Sequence, residues 1–277
     1  MTPSTTRPIV AVDIGNSRIK LGLFDARING PTQLPSPRKT HDIAPGVTLS
    51  GRAPAEAAER LGTIDAWLDG ASVGSCDWWI GSVQRAVTSQ LVMWLRDRGA
   101  ERITLVASSD LPLKIELPRP DMVGIDRLLG AVAANHLRSS GRPAVIADLG
   151  TAITVDVVSA EGAFLGGSIL PGIGLSARAL HEFTDLLPLV DMQHLSQSPP
   201  AWGANTVEAM SCGLFWGAVG GVARLVELAA QQLDASPDVF LTGGAAPRVA
   251  PLVAPGARYE PHLVLAGIAI AASHSEG

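Results

Sequence analysis

One phrase occurs twice in this chain. Residues 9–24 read IVAVDIGNSRIKLGLF and residues 144–159 read AVIADLGTAITVDVVS. Each runs from a short apolar stretch through Asp-x-Gly and a small polar residue into a second β-rich stretch. Asp13 aligns with Asp148 and Gly15 with Gly150, 135 residues apart. A spacing of that size marks a duplicated domain and not a solenoid, whose period is about 20–50 residues. The phrase predicts a strand, a tight turn and a second strand, with a carboxylate at the strand end and backbone N–H groups exposed by Gly. Two such hairpins facing one another can hold the phosphates of a nucleotide and their metal.

The length of 277 residues suits two domains, each near the common domain size. The duplication puts their boundary between an N-terminal domain, 1–141, and a C-terminal domain, 142–277. With 47% hydrophobic and 17% charged residues, the chain is expected to be globular and not disordered. A net charge of −5 argues against a nucleic-acid partner, whose phosphates call for a basic surface. Cys76 and Cys212 match no metal spacing and read as buried thiols of a reducing compartment. The N-terminal segment lacks the apolar stretch of a secretory signal. The late apolar run from Leu263 to Ala272 is shorter than the ~20 residues of a membrane span. The expectation is a cytoplasmic protein with no membrane partner.

Periodicity and punctuation predict strands over Ile9–Val12, Ile19–Phe24, Asp77–Val83, Ile103–Val106, Phe164–Ile169 and Val239–Leu241, with a hairpin over Ala144–Ser159. Helices are predicted over Ala55–Asp69, Thr88–Arg98, Arg127–Ser139, Leu175–Leu180, Thr206–Leu233 and Val264–Ser273. The stretch 29–54, with five Pro and three Gly, reads as an irregular surface excursion. Strand–helix alternation with a hairpin in each half makes this an α/β chain with mixed sheets.

Asp13 at a strand end suits Mg²⁺, which keeps most of its waters. Gly15 lets the backbone approach a phosphate, and the Gly15–Ser17 amides with the Asn16 and Ser17 side chains are candidate donors. Lys20 adds a point charge if the strand aims it toward the site, and strand alternation equally allows the opposite face. The echo at Asp148-Leu149-Gly150-Thr151 strengthens the functional reading over that of an ordinary turn. At Gly124-Ile125-Asp126-Arg127, Asp126 is placed either as a general base toward an alcohol or as a helix N-cap, and Arg127 either grips an anion or is solvated. Gly166–Gly172 and Thr242–Gly244 are further Gly-rich turns. Asn205-Thr206 reads as the N-cap of the long helix. The six His have no metal spacing, and there is no Walker or Gly-x-Gly-x-x-Gly loop, which removes P-loop and Rossmann readings.

Taken in order, DIGNSRIK (Asp13–Lys20), GIDR (Gly124–Arg127), DLGTAITVD (Asp148–Asp156), GGSILPG (Gly166–Gly172), Asn205-Thr206 and Thr242–Gly244 resemble the type III pantothenate kinases. These belong to the acetate and sugar kinase, Hsp70 and actin superfamily, and the resemblance runs from about residue 9 to 272. It implies two ribonuclease-H-like domains with mixed sheets flanked by helices, the active site in the cleft between them, and a homodimer. It implies ATP and pantothenate as substrates, with Mg²⁺ and a monovalent cation, K⁺ or NH₄⁺, as cofactors. By the same resemblance Asp13, Ile14, Gly15, Asn16, Ser17, Arg18, Ile19, Lys20 and Thr151 are ATP contacts, with Mg²⁺ held by Asp13 through water. Asp126 is the catalytic base; Gly124, Ile125, Asp126, Arg127 and Thr206 line the pantothenate pocket; Asp148 is the monovalent-cation ligand. The family usually has a Tyr seven residues before the Gly of GxDR; here that position is Leu117, which removes a hydroxyl from the pocket. Two other readings remain: a superfamily kinase acting on a different small molecule, and a non-catalytic accessory protein on the same fold.

Overall fold

The computed structural model describes residues 7–25, 34–43, 54–192 and 198–275. The chain forms two compact units, Met1–Leu137 with His262–Gly277, and Arg138–Pro261.

The first unit is built on β1 (Ile9–Ile14), β2 (Ile19–Phe24), β3 (Lys39–Ile43), α1 (Pro54–Leu68), β4 (Asp77–Ser82), α2 (Arg85–Asp97), β5 (Ile103–Leu105) and α3 (Ile125–Leu137). Its five strands lie in the order β3-β2-β1-β4-β5. β2 runs antiparallel to β1 and β3, while β4 runs parallel to β1 and β5. All six residues of β1 are buried, as expected of a central strand with parallel pairing and cover on both faces. Val10, Val12, Ile14, Leu21, Trp78 and Ile80 pack on one face with Leu61 and Ile64 of α1 and Leu91 and Leu95 of α2. Asp13 and its register partners Lys20 and Gly81 therefore lie on the other face.

The second unit contains β6 (Ala144–Leu149), β7 (Ala152–Val158), β8 (Phe164–Pro171), α4 (Ile173–Glu182), α5 (Thr206–Leu233), β9 (Asp238–Thr242), α6 (Ala246–Val253) and β10 (Arg258–Tyr259). Its strand order, β10-β9-β6-β7-β8, is the first sheet read from the other edge: β6 takes the place of β1, β7 of β2, β8 of β3 and β9 of β4. The internal repeat of the sequence is thus a repeat of topology. Val145, Ala147, Leu149, Ile153 and Val155 pack with Phe215, Val219 and Val222 of α5 and with Val249 and Val253 of α6. By length and composition α5 is apolar enough to cross a membrane. It buries a stripe, Met210, Cys212, Phe215, Val219, Val222 and Val226, at the 3–4-residue spacing of a helix lying on a sheet.

The final helix, α7 (Leu263–Ser275), departs from the expected 1–141/142–277 division. It belongs to the first unit, and the boundary falls between Leu137 and Arg138. In the repeat α7 is the counterpart of α3, each helix following the last strand of its sheet, yet it packs beside α3. Gly267 makes this possible, since a Cβ there would overlap the Leu129 carbonyl oxygen. Nine residues of α7 are buried. A helix apolar on all sides needs partners all round, and here α3 and the β1–β2–β4 surface supply them.

Two other expectations change. Within 29–54, residues 39–43 form β3, an edge strand paired to β2; residues 26–33 and 44–53 lie outside the described residues. The segment after Thr242-Gly243-Gly244 holds α6 and β10, for which the sequence pattern predicts no element. Pro247 and Pro251 obscure α6, but Pro247 sits in its first turn, where a missing N–H costs nothing.

Asp238 closes the start of the second unit. Its carboxylate accepts a 2.6 Å hydrogen bond from Ser139 N–H and lies 3.2 Å from the Arg142 guanidinium. Burial alone would raise its pKa, but the Ser139 hydrogen bonds and the Arg142 and Arg258 charges hold it below the ordinary value. A depressed carboxyl pKa contributes stability above the unfolded-state value of about 3.9, and that stability is lost as pH falls through the native value. Asp238→Asn should therefore lower unfolding free energy by about 1–2 kcal/mol at pH 7. The gap to wild type should narrow below pH ~4; thermal melts with equal midpoints at pH 7 would remove this role.

Candidate active site

In the first unit β1 delivers Asp13 to the end of the strand, 8% exposed. The chain turns over four residues, Gly15–Arg18, and Gly15 N–H donates to Arg18 O at 3.0 Å. This corrects one expectation: the Gly15 amide is used in closing the turn. The Gly15 carbonyl accepts from Gln84 Nε2 at 2.8 Å, and Ile14 O accepts from Val83 N–H at 3.1 Å. The root of the turn is thus pinned to the segment after β4, while Asn16, Ser17 and Arg18 at its tip are exposed. Ile14 and Ile19 close the hairpin as a buried register pair, so their side chains belong to the core and only their main chain is open to a ligand. Lys20 is directly opposite Asp13. Cross-strand partners share a face, which decides the direction the sequence left open: Lys20 is on the Asp13 side.

Gly124–Arg127 forms the head of α3. Gly124 O accepts from Arg127 N–H at 3.1 Å and from Leu128 N–H at 3.4 Å, so Gly124 occupies the cap position and Asp126 is the second helical residue. One Asp126 carboxylate oxygen accepts from Arg127 N–H at 2.9 Å. A Cβ on Gly124 would stand 2.6 Å from that oxygen, so the Asp126 side chain lies over Gly124 and a larger residue there would displace the carboxylate. Asp126 is therefore not the N-cap itself. It is a half-buried carboxylate in the first turn of the helix. Ile125 and Arg127 are half-buried as well, as is Leu117 in the segment between β5 and α3.

In the second unit the hairpin tip is one residue shorter, with Leu149 opposite Ile153. Gly150 N–H donates to Ala152 O at 3.1 Å, again closing the turn, and Thr151 O accepts from Gly172 N–H at 3.0 Å. A Cβ on Gly172 would overlap the Gly150 and Thr151 carbonyl oxygens. The Thr242–Gly244 turn reaches the same place. Gly243 has φ +93°, a Cβ there would overlap Asp148 Oδ1 and stand 2.7 Å from the Leu149 main chain, and Ala245 N–H donates to Leu149 O at 3.2 Å. The Gly172 and Thr242–Gly244 turns, 70 residues apart, thus both close on the Asp148–Thr151 segment.

Thr206 opens α5 behind Asn205, whose side chain accepts from Glu208 N–H at 3.0 Å while Glu208 Oε2 accepts from Ala204 N–H at 2.8 Å. This reciprocal cap bears out the N-cap expectation. Thr206 is exposed and borders a cavity of about 660 Å³, with Leu180, Leu187, Met210 and Leu214 as its apolar walls. The sequence reading had no signal for this cavity, whose walls come from α4, α5 and the segment joining them.

Among the described residues no three His, Cys, Asp or Glu side chains converge as a metal cage. A lone carboxylate at a strand end still suits Mg²⁺, which takes most of its ligands from water and phosphate.

The profile of the family described as type III pantothenate kinase matches residues 9–228. The type III pantothenate kinase of Acidiphilium cryptum is 32% identical over 95% of this chain and 93% of its own length. That of Dehalococcoides mccartyi is 31% identical over 96% and 95%. Among solved structures, MreB 5 of Spiroplasma citri bound to AMPPNP aligns at TM-score 0.52 and 11% identity, covering 97% of this chain and 96% of its own. The Lmo2764 protein of Listeria monocytogenes aligns at 0.52 and 15%, covering 98% of this chain and 100% of its own. At such identities the structural likeness speaks for the fold alone.

Proposed function

This chain belongs to the type III pantothenate kinase family, and on that premise we propose that it transfers the γ-phosphoryl group of ATP to the primary hydroxyl of pantothenate, with Asp126 as the base. The observation that carries the chemical assignment is the placement of Asp126, half-buried at the head of α3 with one oxygen fixed by Arg127 N–H. Phosphoryl transfer asks a protein mainly for positioning and charge neutralisation. In this reading the Asn16–Arg18 tip and Lys20 bind the triphosphate, and Arg127 grips the pantothenate carboxylate. The second oxygen of Asp126 orients the acceptor hydroxyl and takes its proton as the bond to phosphorus forms. Asp13 would hold Mg²⁺ through water and Asp148 would hold K⁺ or NH₄⁺; both ions supply countercharge to the phosphates. Thr151 is read as a further ATP contact.

Thr206 and the apolar cavity beside it support a pantothenate contact at the head of α5, and Leu117 replaces a polar pocket residue with an apolar one. The exposed Trp202, Val207 and Trp216 at and before the first turns of α5 support a homodimer through this helix. The same reading places the enzyme in the cytoplasm, at the first step toward coenzyme A.

The test is ADP release by the purified chain with ATP and Mg²⁺, with and without pantothenate, in K⁺ and in Na⁺ buffers. Pantothenate-dependent release stimulated by K⁺ is the expected result. Release indifferent to pantothenate would overturn the acceptor, and equal rates in the two buffers would overturn the monovalent-cation role.

A further inference from the structure

β3, the strand hidden in the Pro-rich excursion, brings a carboxylate to the phosphate-loop hairpin. Asp42 lies directly opposite Lys20, which lies directly opposite Asp13. Directly opposed residues share a face, so Asp13, Lys20 and Asp42 form one row, acidic, basic, acidic, across three strands. Asp42 also reaches the turn itself, with its carboxylate 3.8 Å from the Arg18 guanidinium. The α7 helix covers the same side of β2. Gly22, two residues beyond Lys20, faces Leu265, and His262 caps α7, its carbonyl accepting from Ala266 N–H at 2.9 Å. Burial first, and then the Lys20 charge, hold the His262 imidazole below its ordinary pKa, with Asp42 opposing. At neutral pH the head of α7 therefore brings no second cation beside Lys20.

We propose that Asp42 is a positioning residue for the nucleotide: from β3, directly opposite Lys20, it pairs with Arg18 and holds that cation of the 13–20 hairpin in the orientation that receives the phosphates. This rests on reading that hairpin as the ATP-phosphate site. By its charge alone Asp42 repels phosphate. Its orienting effect outweighs that repulsion, because Arg is among the side chains that lose most rotamer freedom when ordered and Asp42 pre-orders Arg18, whereas its charge toward a more distant phosphate is screened by solvent.

The experiment measures MgATP affinity by calorimetry, and the KM for ATP and kcat with pantothenate, for wild type, Asp42→Asn, Asp42→Glu and Asp25→Asn. Asp25 pairs with Arg38 at 3.1 Å on the same unit and serves as an ordinary surface pair. Asp42→Asn should weaken MgATP binding and raise the KM for ATP by about 3–10-fold, the scale of one or two lost cross-strand charge pairs. Its kcat at saturating ATP should stay within about twofold, Asp42→Glu should recover most of the loss, and Asp25→Asn should match wild type. Unchanged or tighter MgATP binding by Asp42→Asn overturns the proposal while leaving the kinase reading intact, as does an equal loss in Asp25→Asn. Absence of MgATP binding by the wild-type protein overturns both.

Discussion

Asp126→Asn is expected to lower kcat by about 10²-fold or more while leaving MgATP affinity within about twofold, the range attached to loss of a positioned general base. The amide keeps the shape, and its oxygen can still accept from Arg127 N–H, as the carboxylate does now at 2.9 Å. What it loses is the ability to take the proton of the acceptor hydroxyl. Fold and substrate binding should therefore survive, and the melting temperature should stay near that of wild type. Single-turnover rates across pH are the sharpest check, because the limb that reports the base should vanish in the variant. If Asp126→Asn turned over at near wild-type rate, Asp126 would be a helix-terminus residue and the proton would leave by another route.

Gly243→Ala is expected to damage both activity and stability. The residue has φ +93°, a backbone conformation that costs an L side chain on the order of 1 kcal/mol or more. The added methyl would also overlap Asp148 Oδ1. Moving that carboxylate should reduce kcat/KM for ATP by at least about tenfold, on the scale of effects from small misplacements at a reacting site. It should also blunt stimulation by K⁺, the ion assigned to Asp148. Gly244→Ala is the matched control, since a Cβ there meets nothing within 4 Å. A Gly243→Ala enzyme with wild-type rate and K⁺ response would separate the Thr242–Gly244 turn from catalysis.

Much of this architecture is legible in the sequence because its strongest signals are local. Asp-x-Gly between two apolar runs is a local hairpin signal, and two of them 135 residues apart point to two related sheets, as the β1–β2 and β6–β7 pairs show. Asn205 followed by Glu208 specifies the start of α5. β3 and α6 were missed for different local reasons. The sequence KTHDI alternates poorly and sits among prolines, so its pairing comes from the edge of β2 and not from its own pattern. α6 carries two prolines in eight residues. Both were recoverable from the duplication itself: β8 after the second hairpin calls for a third antiparallel strand in the first half, and α2 after β4 calls for a helix after β9.

The candidate site divides in the same way. Asp13, Asp126 and Asp148 could be singled out from short motifs, because a carboxylate beside Gly at a turn or helix head is a local arrangement. Their surroundings could not. That Thr242–Gly244 closes on Asp148 and Gly172 on the Gly150–Thr151 turn, that Lys20 faces with Asp13, and that Asp42 joins them depend on strand register and on contacts between residues up to about a hundred positions apart.

The sequence alone determined that this chain is a duplicated α/β protein with a carboxylate-tipped hairpin in each half, because backbone preferences and hydrophobic period act over a few residues. Only the tertiary structure decided where α7 goes. By repeat it is the α3 of the second half; by packing it completes the first unit against α3 itself. A helix apolar on every side carries no direction in its pattern, and Gly267 against the Leu129 carbonyl sets the partner through the close approach it allows.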